Sequence, residues 1–228
     1  MTTMDTQLLI DRLSTDCAPV RCLRCPATRS STWLAIAVPY VMLASFMFPR
    51  AHIEAVIIDG RLIVEQAAAL LTAITAVFTA FAATVPGYDR RILLLPVLPV
   101  LVWLGSLAAG SADEWLRDGF AGLWLRGEWI CVRWIVSVGA VPAILLAFML
   151  RKGAPMSPYT TAALGGLAAA SLGHFGMRVF QPEEVSVLMV VWHVGTVIAI
   201  SAFAGWAGRK WMCWRAAISP VRKRLAAG

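Results

Sequence analysis

The sequence predicts an all-α fold, a polytopic membrane bundle of six transmembrane helices with both termini in the cytoplasm. Three observations carry that expectation. Of 228 residues, 59% are hydrophobic and only 14% charged, whereas a soluble domain of this size needs a far more polar surface. Six apolar stretches reach the roughly 20 residues that a spanning helix takes. Finally, the basic residues sit on one side of the expected membrane.

The stretches run from Thr32 to Phe48, Leu62 to Thr84, Ile92 to Ala109, Trp129 to Leu150, Tyr159 to Val179 and Val185 to Ala207. Short charged connections join them, as expected when only helix ends meet water. The expected organisation is therefore a cytoplasmic N-terminal segment over residues 1–31, a six-helix bundle over 32–207 and a basic cytoplasmic tail over 208–228. Neither flank is long enough to bury a core of its own. Polar residues precede the first apolar run, so no secretory signal is expected.

The net charge of +7 raises the question of nucleic acid, and the placement of the charge argues against direct binding. The N-terminal segment, Arg90-Arg91, Arg151-Lys152 and the tail together carry 14 Lys and Arg. Arg50, Arg61, Arg117, Arg126 and Arg178 occupy the other side, with Arg133 just inside the fourth stretch. Glu54, Asp59, Asp113, Glu114, Asp118, Glu128, Glu183 and Glu184 lie there too. The positive-inside rule then places both termini in the cytoplasm and the acidic loops outside. Trp115, Trp124, Trp129 and Trp134 gather near one interface, and Trp206, Trp211 and Trp214 near the other.

Within the stretches, Thr161, Gly165, Ala169 and Gly173 repeat at every fourth position, with Gly166 and Ala170 alongside, so this helix offers a stripe for close backbone approach, within or between chains. Pro39, Pro96, Pro99 and Pro142 fall inside spans and read as tolerated kinks. Glu65 and Arg133 are the main ionisable groups within spans; both lie near the outer interface, where snorkelling or mutual pairing suffices, and Glu65 also reaches Arg61 one turn earlier. No glycine-rich phosphate loop, nucleophile elbow or zinc-protease motif is present. No enzyme activity and no cofactor are expected.

Cysteines and histidines supply weaker candidates. Cys22-Leu23-Arg24-Cys25 has metal or redox spacing, with Cys17 nearby, but no second pair accompanies it. Cys131, His174 and His193 fall on the outer side with Glu183 between the last two helices, and are the candidate metal ligands should the helices bring them together. Residues from Asp5 to Asp16 place Leu9 and Leu13 one turn apart, beside Leu8 and Ile10, with Asp11, Arg12 and Asp16 at polar positions. That pattern predicts a short amphipathic helix, steadied by a partner groove or the membrane surface. Pro19 and Pro26 then break the chain into a connector.

The order of Leu9-Ile10-Asp11-Arg12-Leu13, Pro19-Val20-Arg21, Leu23-Arg24, Thr84-Val85-Pro86-Gly87, the run Leu93 to Leu101, Arg151-Lys152-Gly153-Ala154-Pro155, Pro182-Glu183-Glu184 and Trp192-His193 resembles the NrsF family, six-span bacterial anti-sigma factors. The likeness covers essentially the whole chain. It implies a cytoplasmic segment that holds an extracytoplasmic-function sigma factor at the bilayer until an envelope, metal or oxidative signal frees it. Leu8, Leu9, Asp11, Leu13, Pro19 and Arg21 are then the expected partner-binding residues, and Cys131, Glu183, Glu184 and His193 the expected sensing residues. The family's first outer cysteine matches Cys131, in Glu128-Trp129-Ile130-Cys131, while Gln181 stands where the second is expected. Sensing then falls to Cys131 alone, to an intermolecular bond, or to the neighbouring His and Glu residues. The rival readings are a small transporter or channel subunit, and a metal-using membrane enzyme or assembly factor.

Overall fold

A computed structural model describes residues 3–15, 23–46, 60–118, 129–153, 157–180 and 187–211. Among them are seven α-helices and no strand: α1 Thr3–Thr15, α2 Pro26–Phe46, α3 Gly60–Ala82, α4 Val97–Asp118, α5 Trp129–Arg151, α6 Pro158–Phe180 and α7 Val187–Trp211. A 3-10 turn, Arg90–Leu94, precedes α4. The all-helical expectation holds. Gly60–Ala82 and Arg90–Asp113 are long and apolar enough to cross a membrane, and Ser137–Arg151 and Gly195–Gly208 are shorter apolar helical stretches. The expected six crossings are thus matched by length and hydropathy in two stretches among the described residues.

Helix boundaries follow backbone chemistry more closely than hydropathy. Helix α2 starts at Pro26, not at Thr32, because a proline in the first turn has its φ already set and gives up an N–H that has no intrahelical partner. The Arg29 N–H then bonds the Cys25 carbonyl at 3.1 Å. Pro96 and Pro99 are not kinks within a helix. Asp89 caps the 3-10 turn by accepting the Arg91 N–H at 2.9 Å, Pro96 ends that turn, and α4 begins afresh with Pro99 in its first turn, where no N–H is missed. Gly87, at φ +83°, makes the bend that leads into this cap. Pro39 and Pro142 do lie inside helices, as expected. The Pro142 carbonyl accepts the Trp33 indole N–H at 3.0 Å, tying α2 to α5.

Helix α6 is the hub, packed against α2, α3, α5 and α7, while α4 lies against α3 and α7. The small residues of α6 make this possible. A Cβ on Gly166 would stand 3.0 Å from both Ala204 Cβ and Ser201 Cα of α7, and one on Gly165 would stand 3.2 Å from Leu150 of α5. Ala168, Ala169, Ala170, Ser171 and Leu172 are all buried. The stripe that left contacts within and between chains open is therefore used within this chain.

The bundle is apolar outside as well as in. Leu98 is 70% exposed, Phe203 66% and Leu43 63%, while the interior is rich in Ala and contains Glu65, Gln66, Thr72, Thr79, His174 and Arg178.

Gly176 of α6 sits where an added methyl would overlap Val41 Cγ1 and lie 2.9 Å from Ser45 Oγ, both on α2, whereas Gly105 of α4 has nothing within 4 Å. Gly176→Ala is expected to destabilise by about 1–3 kcal/mol. Gly105→Ala should leave stability unchanged or raise it by a few tenths of a kcal/mol. Thermal unfolding in detergent distinguishes them.

Candidate functional site

Two constellations of buried polar groups stand out: the start of the bundle, where the N-terminal segment is attached, and a charged cluster inside it. Arg29 organises the first. Its guanidinium donates through Nη1 to Thr84 Oγ1 at 3.0 Å and through Nη2 to the Met149 carbonyl at 2.6 Å, and its carbon lies 4.4 Å from the centre of the Phe81 ring. Thr84 follows the end of α3 and Met149 lies in the last turn of α5, so one side chain of α2 joins three helices. The group is 8% exposed, and a buried guanidinium needs such partners for its donors. Thr84 also packs against Gly153, where a Cβ would lie 2.8 Å from Thr84 Cβ. The Thr84-Val85-Pro86-Gly87 and Arg151-Lys152-Gly153 segments, distant in sequence, thus meet around the residue that begins the bundle.

The second constellation joins α3 to α6. Glu65 Oε1 accepts from Arg178 Nε at 3.0 Å and lies 3.1 Å from His174 Nε2, while Glu65 Oε2 lies 3.3 Å from Arg178 Nη2. All three side chains are 1% exposed. His174 and Arg178 are four residues apart, so they share a face of α6 and close on one carboxylate from both sides. The Trp103 ring of α4 meets the His174 ring with centroids 4.8 Å apart at 61°, an edge-on contact that extends the cluster to a third helix. Glu65 therefore does not snorkel to the interface, and Arg61 instead pairs with Asp113 of α4. Arg178, expected near the outer loops, is within the bundle.

The expected partner-binding residues fall on and after α1. Leu8 is 57% exposed and Ile10 52%, and Asp11 is exposed, its carbonyl receiving the Ser14 and Thr15 hydroxyls. Leu9 and Leu13 belong to α1, but their side chains, like Pro19 and Arg21, lie outside the described residues. Of the expected sensing residues, Cys131 opens α5 and His193 lies in α7, with their side chains outside the described residues, as is that of Arg133; Glu183 and Glu184 are outside them altogether. Cys17 and Cys22 are too, while Cys25 is an exposed free thiol. Of the candidate metal ligands, His174 is engaged with Glu65. No group of three or more His, Cys, Asp or Glu side chains suited to a metal occurs among the described residues.

In the comparison against protein families, the family described as NrsF, negative regulator of sigma F, matches residues 13–214. The chain belongs to the NrsF family. Membership makes it a negative regulator of a sigma factor, an anti-sigma factor, with a sigma factor as partner and a regulatory role. The match takes in Leu13, Pro19, Arg21 and Arg29 as well as both constellations, and begins after Leu8, Leu9 and Asp11. No curated protein and no solved structure matches the chain.

Sequence reasoning missed the roles of Arg29 and Arg178. The four-residue spacing of His174 and Arg178 was a usable signal for the latter, since the two had to face the same neighbour.

Removing one member of the buried pair takes a directly paired counter-charge from the other. Glu65→Gln and Arg178→Met are each expected to cost about 3–5 kcal/mol, and the double variant clearly less than their sum. A double-mutant cycle on thermal unfolding in detergent reads this directly. For the first constellation, Arg29→Met should cost about 1.5–3 kcal/mol for its charge-assisted bonds, with Arg29→Lys recovering only part.

Proposed function

We propose that this NrsF-family chain is a membrane anti-sigma factor of the bacterial inner membrane, with six crossings and both termini in the cytoplasm. In this reading α1 and the residues after it hold an extracytoplasmic-function sigma factor, and an envelope, oxidative or metal signal releases it. The family match carries the reading. Support for the membrane comes from the two helical stretches of spanning length, the bulky apolar exterior and the excess of Lys and Arg on one side.

Binding through α1 follows from its exposed apolar side chains. Leu8 and Ile10 project from a short helix, and a helix of this length is marginal until a groove or a bilayer covers its apolar residues. Leu9 and Leu13 add a pair one turn apart, with Pro19 and Arg21 continuing the contact. Arg29 then fixes the end of the binding segment to α3 and α5, so a rearrangement of the bundle reaches the segment through that knot. The signal is received on the outer side, to which the expected topology assigns Cys131, Glu183, Glu184 and His193. The links from Glu65 to Arg178 and His174, which join α3 to α6, set how those two helices pack.

Changing Leu9 and Leu13 together to Asp is expected to lower sigma-factor co-purification at least tenfold and to switch on the sigma-dependent genes, with the bundle's unfolding temperature unchanged. Retained binding with silent target genes would place the interaction elsewhere. Protease added to the outer face of intact spheroplasts should leave a tag at residue 1 uncut.

A further inference from the structure

The turn that joins α3 to α4 carries two opposite charges side by side. Helix α3 ends at Ala82, Gly87 at φ +83° bends the chain, and Asp89 Oδ1 accepts the Arg91 N–H at 2.9 Å. That leaves Asp89 Oδ2 for another donor. Asp89 and Arg90 are both exposed and do not pair with each other. Both line an open cavity of about 640 Å³, together with Tyr88, with Ser157 just before α6 and with Thr160 in its first turn. The Thr160 hydroxyl donates to Ser157 Oγ at 2.6 Å, so the Ser157 O–H keeps its own hydrogen to give.

This cavity lies at the level where apolar chain gives way to polar. Of the two stretches long enough to span, Gly60–Ala82 ends and Arg90–Asp113 begins at residues that line it. Tyr88 and Tyr159, 37% and 51% exposed, are the amphipathic rings expected at headgroup depth. From there a groove of about 540 Å³, with no charged side chain, runs between α4, α6 and α7; Leu93 and Thr160 border both spaces. A charged chamber adjoining an apolar groove has the layout of a head and a tail. The charges select the head. A phosphate pairs with Arg90 and accepts from the Tyr88 and Ser157 hydroxyls, while a lipid of net negative charge meets Asp89 unanswered. A primary ammonium answers Asp89 with N–H donors that a quaternary ammonium lacks.

We infer that the cavity holds the headgroup of a phosphatidylethanolamine, its phosphate on Arg90 and its ammonium on Asp89, with an acyl chain along the groove between α4, α6 and α7. The inference rests on the membrane part of the proposed function and not on the sigma factor. Ala83 and Val85 of the cavity wall flank Thr84, the residue that receives Arg29. The bound headgroup therefore lies against the segment that anchors α2.

Native mass spectrometry of the full chain in detergent tests this, with separate titrations of palmitoyl-oleoyl phosphatidylethanolamine, phosphatidylcholine and phosphatidylglycerol. The expected result is one saturable phosphatidylethanolamine site, with the other two lipids about three- to fivefold weaker. Asp89→Asn keeps an oxygen for the Arg91 N–H and removes the charge, so phosphatidylethanolamine should fall to the level of phosphatidylcholine while phosphatidylglycerol tightens. Arg90→Gln should weaken all three by about three- to fivefold. Glycerophosphoethanolamine, the head without tails, should not displace the lipid at equal concentration. Equal affinity for the three lipids, tighter binding of phosphatidylglycerol by the unaltered chain, an unchanged order in Asp89→Asn, or displacement by the free head overturns the assignment. Should a variant lower the unfolding temperature, the ranking of lipids by the unaltered chain decides. Retention of the chain in membranes through an alkaline carbonate wash reads the membrane proposal separately; a chain retained there without the lipid preference sinks this inference alone.

Discussion

Everything in the bundle is arranged around one constraint: α6 has neighbours on four sides and must come close to each. A helix surrounded in this way cannot carry large side chains toward all of them, because interiors are packed to crystal-like density and have no room to give. Glycine, alanine and serine along α6 solve the problem, and the neighbouring helices supply the bulk, as Leu146 and Leu150 do over Gly165 and Val41 does over Gly176. In water, the burial of large apolar side chains usually drives such an assembly. Here many large apolar residues stay on the outside, while Trp33, Phe81, Leu146, Leu150 and Leu172 are buried with the alanines of the core, and close backbone contact with a few polar links adds to their packing.

Those links are placed where backbone contact alone would leave the arrangement undetermined. Small-residue interfaces are smooth and allow neighbouring helices to slide or rotate. A carboxylate gripped by two partners on α6 fixes the register of α3, and Arg29 does the same for the opposite end of the bundle by binding a hydroxyl, a carbonyl and a ring on two other elements. A buried ion pair is weak support for stability, since desolvation offsets much of the attraction, but its geometric demands make it effective at choosing one alignment. The Trp33 to Pro142 bond serves similarly between α2 and α5.

Much of this was legible in the sequence, and the exceptions have physical causes. Helix content, the order of the apolar stretches and the glycine stripe could be read because each is a local property with a fixed period. The amphipathic start, α1, was found for the same reason. Where α2 begins and how α4 begins were misread, because hydropathy averages over a window while a single proline decides a boundary. Glu65 was recognised as an outlier but given the wrong partner: Arg61 is one turn away in sequence, and Arg178 is one contact away only after folding. Arg29 and Trp103 carried no sequence signal, as nothing local tells a cation at the edge of a span from one that is buried, or an interior indole from an interfacial one.

The attachment at Arg29 has a mechanical corollary. Residues 16–25 link the last turn of α1 to the first proline of α2, and ten residues at full extension span at most roughly 36 Å. In the proposed reading, α1 stays within that distance of the bundle, so a sigma factor held by it is kept beside the bundle rather than merely bound somewhere in the cell.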